Sequence, residues 1–344
     1  MSANRLIAWI KHTVKHSARA KGAIKYLATQ PLFSNLYNYL YRNKITSTLA
    51  SIKFPCTLSI EVTNACNAKC IMCPRDKMTR PIGFMPDDLF RKIVDNAAKA
   101  GVRRIQLMHY GEPLMDKALP SKIKYVKEKG IEVGIFTNGA LLSAERGEGI
   151  IRAGLDEICF SFDAFSRETY ARIRRGLDFD KVQANIMDFI SLKKRLAAGN
   201  PRIKIIFVAS AENSNEALAF RKKWEALVDE VETTTVDNYA GAIDIKPAKQ
   251  KLKFIERQKK MFPCPQLWKH FVVLWDGRVA LCCKDYNGDV VLGDVKLDSL
   301  QDIWDGIKAR LFRDAHLKGA FHSLPLCKDC SMHKISHLFA WWTD

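Results

Sequence analysis

The sequence lacks any apolar run that approaches the ~20 residues of a membrane-spanning helix. Near its start it also lacks a continuous apolar core and a small-residue cleavage site, so we expect no secretory signal. Its 10 cysteines among 344 residues are too sparse for a small disulfide scaffold, and they occur in twos and threes. This usage indicates metal binding in a reducing compartment, and therefore a cytoplasmic protein.

Acidic residues are missing from the start of the chain, where Glu61 is the first of them. Nine Lys or Arg residues precede it and supply half of the net charge of +18. Apolar residues at helical spacing predict a basic amphipathic helix over residues 1–28 and an aromatic-rich helix over residues 32–44. The first helix has three interpretations: packing on the rest of the chain, peripheral contact with a membrane surface, or, least favoured, nucleic-acid binding.

From residue 55 the pattern changes to a regular alternation of strands and helices. It predicts an α/β fold, a partial (β/α)6 TIM-like barrel, whose active site lies at the carboxyl ends of the parallel strands. Strands are predicted at 57–62, 103–108, 131–136, 156–162, 202–209 and 231–236, and helices at 86–100, 117–129, 143–153, 181–197 and 214–228.

Three cysteines, Cys66, Cys70 and Cys73, follow the first predicted strand at spacings of four and three. Three thiolates on one tight loop can hold three irons of a cubane cluster and leave the fourth iron without a protein ligand, whereas most clusters take four cysteines. An open iron is a place for a substrate or cofactor to bind. The alternatives are a zinc knuckle, or a cluster whose fourth cysteine lies elsewhere in the chain.

The C-x3-C-x2-C pattern after a first strand resembles the signature of the radical S-adenosylmethionine (radical SAM) enzymes. The resemblance implies a [4Fe-4S] cluster held by these three cysteines, with S-adenosylmethionine on its open iron and Met72 at the cofactor site. It also implies that an electron from the cluster cleaves the cofactor to a 5′-deoxyadenosyl radical, with the cofactor supplying the chemistry. A reductant protein such as flavodoxin or ferredoxin is then an expected partner.

The end of the second barrel strand carries Tyr110-Gly-Glu-Pro113. This stretch resembles the family's G-G-E-P motif, which implies that Glu112, with the backbone at Gly111, holds the methionine amino group. Tyr110 stands in place of the motif's first glycine.

Two later strand ends carry further motifs of the family. Ser161-Phe-Asp163 resembles the S-x-D motif, which implies that Ser161 and Asp163 reach the ribose hydroxyls. Asn215 falls where the family places a polar contact to the cofactor. It is alternatively the N-cap of the next helix.

A second group of cysteines lies near the C-terminus and predicts another metal site. Their spacing resembles the opening pattern of the SPASM domain that follows many radical SAM barrels, with matches at Cys264, Gly277 and Cys282. A further cysteine of that pattern is replaced by Ser336, so we infer a shortened, twitch-type domain with one auxiliary [4Fe-4S] cluster. The inferred ligands are Cys264, Cys282, Cys327 and Cys330, with Cys283 spare or exchanged for Cys282; zinc with the same four ligands is the alternative.

Other C-terminal patterns predict local structure. The Asp-Gly turn at Gly277 predicts a hairpin. Residues 300–311 are predicted to form a helix. The apolar stretch 338–342 is predicted to be a tail that folds back onto the protein or contacts a membrane. The remaining cysteines, Cys56 and Cys159, are expected to be small core residues. The histidines near the C-terminus are expected at the surface, and the alternative for some of them is to line a site or cap a helix: His316, His322, His333 and His337.

These patterns predict a helical extension at 1–54, the barrel at 55–240, a linker at 241–260 and a C-terminal α+β iron–sulfur domain at 261–344. The expected function is abstraction of a hydrogen atom from an unactivated carbon of a small, sugar-like or lipid-linked substrate, or of a peptide. The auxiliary cluster is expected either to aid oxidation of the substrate or to bind it. The alternatives are a basic nucleic-acid-binding protein with structural metal sites, a radical SAM enzyme that modifies tRNA, and a pure electron carrier.

Overall fold

A computed structural model of the chain describes residues 47–244, 246 and 263–331. None of the helices in these ranges is both long and apolar enough to cross a membrane. Some predictions concern residues outside the described ones: the helices at 1–28 and 32–44, most of the linker, His333, His337 and the tail at 338–342.

The described residues form eleven strands, and the predicted barrel strands are all present with slightly different ends. Their bounds are β1 Thr57–Ile60, β2 Lys69–Cys70, β3 Arg104–Leu107, β4 Glu132–Thr137, β5 Glu157–Ser161, β6 Arg174–Arg175, β7 Arg202–Ala209, β8 Glu230–Thr235, β9 His270–Val273, β10 Arg278–Ala280 and β11 Val291–Asp294.

The α-helices alternate with the barrel strands or pack in the C-terminal part. Their bounds are α1 Asp87–Lys99, α2 Leu119–Glu128, α3 Ala144–Arg152, α4 Arg167–Ile173, α5 Phe179–Arg195, α6 Ala217–Trp224, α7 Gln266–Lys269, α8 Leu300–Trp304 and α9 Ile307–Lys318. Several begin at a side-chain cap: Ser143 accepts from the backbone N–H of Arg146, and Asp178 from that of Lys181.

Nine strands form one sheet in the order β11-β10-β9-β1-β3-β4-β5-β7-β8. All six barrel strands pair in parallel, which confirms the predicted partial (β/α)6 barrel. The C-terminal part continues this sheet because β9 pairs in parallel with β1. The predicted hairpin is confirmed as the antiparallel pair β9–β10. The domain boundaries stay predictions.

Two local predictions were wrong. The helix expected over 300–311 is divided into α8 and α9, because Gly306 adopts an extended backbone (φ −60°, ψ 151°) that helical hydrogen bonding cannot include. Cys56 is exposed rather than part of the core. Cys159, in contrast, is fully buried in β5 as expected.

An aromatic cluster positions the chain segment between β5 and β7. Phe162, at the end of β5, packs against Tyr170 of α4 and Trp224 of α6, with ring centroids 5.0 and 5.6 Å away. The N-cap Ser166 and Thr169 both donate hydroxyl hydrogen bonds of 2.6 Å to Glu216. These contacts fix α4, and therefore the strand β6 that follows it directly.

Candidate active site

The three cysteines of the first motif line one cavity of about 220 Å³ at the carboxyl ends of the barrel strands. Cys70 lies in β2, which pairs with β6 so that it stands opposite Arg174. The backbone N–H of Cys73 donates to the carbonyl of Cys70 at 3.0 Å, which closes a tight turn. The loop therefore presents all three thiols to the same space, as the spacing predicts.

Burial raises the pKa of the Cys66 thiol and raises that of Cys73 to about 12, and the neighbouring thiols add to both shifts. Crowded thiolates need a compensating positive charge, which an iron–sulfur core supplies. Among the described residues, no three His, Cys, Asp or Glu side chains converge as one metal ion requires. A cubane cluster binds each thiolate to a different iron, so its ligands need not share one centre.

Arg174 is a site residue that the sequence analysis missed. Its guanidinium donates to Cys70 Sγ at 3.5 Å and forms an ion pair with Asp163. Arg174 is 9% exposed and lines the cavity. A cation thus stands beside one predicted cluster thiolate, held there by a buried carboxylate.

Glu112 lines the cavity and is 2% exposed. Its carboxylate accepts hydrogen bonds from Thr137 Oγ1 and the Asn138 backbone N–H, both at 2.7 Å, and from the Leu114 backbone N–H at 3.1 Å. Burial raises the pKa of Glu112, while these donors act in the opposite direction. The donors fix both oxygens, and a carboxylate has room for a further donor from the cavity.

Gly111 permits the close approach of this loop to the cysteine loop. A Cβ atom at Gly111 would lie 2.0 Å from the carbonyl oxygen of Thr63. The next residue, Glu112, donates its backbone N–H to the carbonyl of Ala65 at 2.8 Å. The glycine of the predicted motif is therefore required by packing between the two loops.

Tyr110, which departs from the family motif, connects the cavity to the C-terminal part. Its ring lines the cavity, and its hydroxyl donates to the carbonyl of Cys283 at 3.0 Å. The rings of Tyr239 and Tyr286 lie at 6.0 Å from it. Tyr239 also lines the cavity, so the two tyrosines form part of a wall between the two cysteine sites.

Two of the remaining predicted cofactor contacts line the cavity, whereas a third, Asp163, lies behind it. Met72 and Ser161 line the cavity. Asp163 is fully buried behind it and accepts from the Val208 backbone N–H at 2.7 Å, in addition to its ion pair with Arg174. Its carboxylate therefore positions Arg174 and β7, and a direct contact of Asp163 with a ribose stays a prediction.

Asn215 is exposed on the short 3-10 helix Ser214–Glu216 and is not among the cavity-lining residues. It is not the N-cap of α6 either, because that position is Glu216. Its neighbour Asn213 is fully buried and donates to the carbonyls of Asp163 and Val208 at 2.7 and 3.1 Å. The buried asparagine at this strand end is thus Asn213, and a contact of Asn215 with the cofactor stays a prediction.

The C-terminal cysteines surround a second pocket, and the structure separates Cys282 from Cys283. Cys283 packs on Val272, Leu274 and Ala280. Burial raises the pKa of Cys264, Cys282 and Cys327. The pocket is lined by all four cysteines of the inferred ligand set: Cys264, Cys282, Cys327 and Cys330.

His316 lines this second pocket and is 1% exposed, so its predicted surface position was wrong. His322 is exposed as predicted. Lys284 also lines the pocket, forms an ion pair of 2.6 Å with Asp237 and stands 4.4 Å from the ring centroid of Tyr239. Its backbone N–H points to Cys282 Sγ at 3.4 Å.

Two family models match the chain. The radical SAM superfamily matches residues 60–199, and the SPASM iron–sulfur cluster-binding domain matches residues 264–331. The first match includes the three cysteines of the cavity, and the second includes the four cysteines of the pocket.

Two curated proteins are examples of relatives with similar sequences. The tungsten-containing aldehyde ferredoxin oxidoreductase cofactor-modifying protein of Pyrococcus furiosus is 25% identical over 316 residues, 80% of this chain and 87% of the relative. A probable GTP 3′,8-cyclase of Methanococcus vannielii is 30% identical over 218 residues, 58% of this chain and 70% of the relative.

Two solved structures illustrate the fold. BtrN in complex with AdoMet and 2-DOIA has a TM-score of 0.54 at 20% identity, over 80% of this chain and 93% of that chain. Streptococcus suis SuiB bound to S-adenosylmethionine has a TM-score of 0.61 at 17% identity, over 88% of this chain and 77% of that chain. The superfamily uses a [4Fe-4S] cluster with S-adenosylmethionine, and the SPASM domain holds auxiliary iron–sulfur clusters. The chain belongs to the radical SAM superfamily, as an enzyme with a C-terminal SPASM iron–sulfur domain.

Proposed function

We propose that this enzyme removes a hydrogen atom from an unactivated carbon of a small substrate and passes an electron from that substrate to a single auxiliary cluster. The observation that carries the proposal is the arrangement of the two cysteine sites, one with three thiols at an open cavity and one with four, joined through Tyr110. When bound, S-adenosylmethionine and the first cluster supply the 5′-deoxyadenosyl radical that takes the hydrogen atom.

The residues of the first cavity divide into those that would hold the cluster and those that would orient the cofactor. Cys66, Cys70 and Cys73 would bind three irons and leave the fourth for S-adenosylmethionine. Glu112, whose oxygens are already fixed by donors from two loops, would accept a hydrogen bond from the methionine ammonium group. Ser161, at the end of β5, would reach the ribose.

The second pocket favours electron uptake over binding of the substrate to the auxiliary cluster. Its four cysteines match the four irons of a cubane cluster, so no iron would be left open. Cys283 packs on Val272, Leu274 and Ala280, which supports Cys282 as the fourth ligand. A closed cluster behind the tyrosine wall suits oxidation, for example of a carbinol to a ketone, in which the substrate radical gives one electron to the cluster and its hydroxyl proton to solvent or a base.

The names of the two curated relatives support a small substrate. One is a cofactor-modifying protein and the other a probable cyclase of GTP, so neither name describes a peptide substrate. The cavity is also lined by Lys69 and Arg75 together with Asp76 and Glu112, so it offers charges of both signs to a polar substrate or cofactor. We therefore propose a small, polar substrate rather than a peptide.

The proposed chemistry is tested with anaerobically reconstituted enzyme, dithionite and S-adenosylmethionine. We expect 5′-deoxyadenosine to form in the parent protein and to be absent in the Cys66→Ala variant. Equal amounts in both proteins, or none in the parent with its iron complete, would contradict the proposal. Iron analysis gives an independent check, because two cubane clusters require about eight irons per chain.

A further inference from the structure

His316 touches two predicted ligands of the auxiliary cluster, which come from opposite ends of the SPASM domain. It lies on α9, and its Nδ1 is 3.1 Å from the backbone nitrogen of Cys264. Its Nε2 is 3.3 Å from Cys327 Sγ. One buried imidazole therefore connects the segment that opens the domain with the loop that closes it.

The contact with Cys264 determines which nitrogen of His316 carries the proton. A backbone N–H can only donate, so Nδ1 must offer its lone pair, and a doubly protonated ring would set two donors against each other. The neutral imidazole then carries its proton on Nε2, which faces the sulfur of Cys327. The tautomer thus follows from the hydrogen-bond partners.

We infer that His316 is a positioning residue that donates an Nε2–H hydrogen bond to the Cys327 thiolate and thereby raises the reduction potential of the auxiliary cluster. Hydrogen bonds to the sulfurs are one of the factors that set cluster potentials, because they stabilise the more negative, reduced form. The inference rests on the auxiliary cluster of the proposed function and deepens it. A higher potential makes this cluster a better acceptor for the substrate's electron.

The burial of His316 strengthens this bond. The side chain is 1% exposed, and the ring of Phe321 lies 4.9 Å from it, so water does not compete for the Nε2 proton. Backbone N–H groups also point to ligand sulfurs in this pocket, that of Lys284 to Cys282 and that of Gln266 to Cys264. Unlike these backbone donors, the one from His316 can be removed by substitution of a side chain.

Two substitutions separate the two contacts of His316. In His316→Asn, the amide oxygen can still accept from the Cys264 N–H, but the side chain is too short to reach Cys327. In His316→Gln, the longer amide can still donate to the sulfur. His322→Asn, an exposed histidine six positions later, is the matched control.

The variants are prepared in a background in which Cys66, Cys70 and Cys73 are alanine, so that only the auxiliary cluster contributes to the spectrum. We expect EPR-monitored potentiometry to show a more negative midpoint potential for His316→Asn. The midpoint should be close to the parent value for His316→Gln and unchanged for His322→Asn. A parent-like midpoint for His316→Asn with full iron content would overturn the inference. The midpoint potential does not depend on radical formation. Failure of the proposed function is therefore detected separately, by the 5′-deoxyadenosine assay.

A second measurement uses the parent protein, in case His316→Asn does not assemble its cluster. With 15N-labelled histidine, we expect electron–nuclear double resonance of the reduced cluster to show a weak 15N coupling, because the imidazole donates a hydrogen bond to sulfur and does not bind iron. A strong 15N coupling, which indicates direct ligation of iron by the imidazole, would overturn the inference. The absence of any 15N coupling in the reduced cluster would overturn it as well.

Discussion

The cavity with three cysteines and the pocket with four differ in the space that adjoins their thiols. The first measures about 220 Å³ and is lined by polar groups fixed in advance, among them Glu112 and Asn138. The second measures about 20 Å³, and its wall consists mainly of the cysteines, His316, Lys284 and apolar side chains. The difference is consistent with the proposed roles, in which the first site binds a ligand at an open iron and the second takes up an electron.

The two sites also differ in how the chain supports them. The three-cysteine loop depends on contacts between barrel loops, such as those of Gly111 and Arg174. The four-cysteine pocket depends on joining distant segments of the SPASM domain, as His316 does for Cys264 and Cys327. Substitutions should therefore affect one site without destroying the other, and the predictions below are ordered by the size of their expected effect.

The largest effect is expected for Cys66→Ala. It removes one of three ligands from the open site, so we expect complete loss of 5′-deoxyadenosine formation and a fall from about eight irons per chain to about four. The measurement is product analysis together with iron and sulfide content. If the variant retained product formation, the open site would not depend on this thiol.

Replacing either Cys282 or Cys283 tests which of these adjacent cysteines binds the auxiliary cluster. We expect Cys282→Ala to lose the auxiliary cluster, since Cys282 lines the pocket with the other three cysteines. Cys283→Ala should keep its iron, because that thiol packs against apolar residues. Iron content and the EPR spectrum of the reduced proteins measure both. The opposite pattern would mean that Cys283 is the ligand.

Gly111→Ala tests the packing on which the open site depends. The added methyl group would lie 2.0 Å from the carbonyl oxygen of Thr63, a backbone atom that cannot move aside independently. We expect the free energy of unfolding to fall by about 3 kcal/mol or more, measured by chemical denaturation. Gly199→Ala is the control, because nothing lies within 4 Å of its Cβ position. Equal stability of the two variants would show that the loops are not held together as described.

Glu112→Gln tests whether the three-cysteine cavity binds S-adenosylmethionine through this carboxylate. Loss of a charged acceptor is expected to remove about 1.5–3 kcal/mol, which corresponds to about 10- to 150-fold weaker binding of S-adenosylmethionine. Isothermal titration calorimetry under anaerobic conditions measures this change. Glu145→Gln, at an exposed position, should bind as the parent does. Unchanged affinity for Glu112→Gln would remove this residue from the cofactor site.

The smallest effect is expected for Tyr110→Phe, which removes the hydrogen bond from the cavity to Cys283, the neighbour of Cys282. It leaves the partly buried carbonyl of Cys283 without the donor at 3.0 Å and should lower the free energy of unfolding by about 1 kcal/mol. Both clusters should assemble as in the parent. A loss of one cluster would mean that the tyrosine supports a site and does more than connect the two.

The sequence predicted what is encoded locally. The three-cysteine spacing and each barrel strand are visible in a short stretch, and the auxiliary cysteines occur in short motifs that resemble one known domain. The comparisons and the fold agree with the family to which those patterns point. The Asp305-Gly306 pair was an available signal for the interruption between α8 and α9, but the apolar periodicity over 300–311 obscured it.

What the sequence did not predict depends on contacts between distant segments. Arg174 reaches Cys70 only because two-residue strands pair across more than a hundred residues. His316 belongs to an otherwise ordinary helix, and only the folded domain brings it to two cysteines. Asn213 and Asn215 have the same residue type, and burial alone distinguishes them. Pairing of short strands and burial of single polar residues leave little trace in a local pattern.

The central claim is that S-adenosylmethionine completes the coordination of the first cluster at the iron that lacks a cysteine. Electron–nuclear double resonance of the reduced enzyme, with S-adenosylmethionine labelled with 15N at the amino group and 17O at the carboxylate, tests it most directly. The account predicts strong hyperfine coupling from both labels. Full reduction of the cluster without coupling from either label would contradict it.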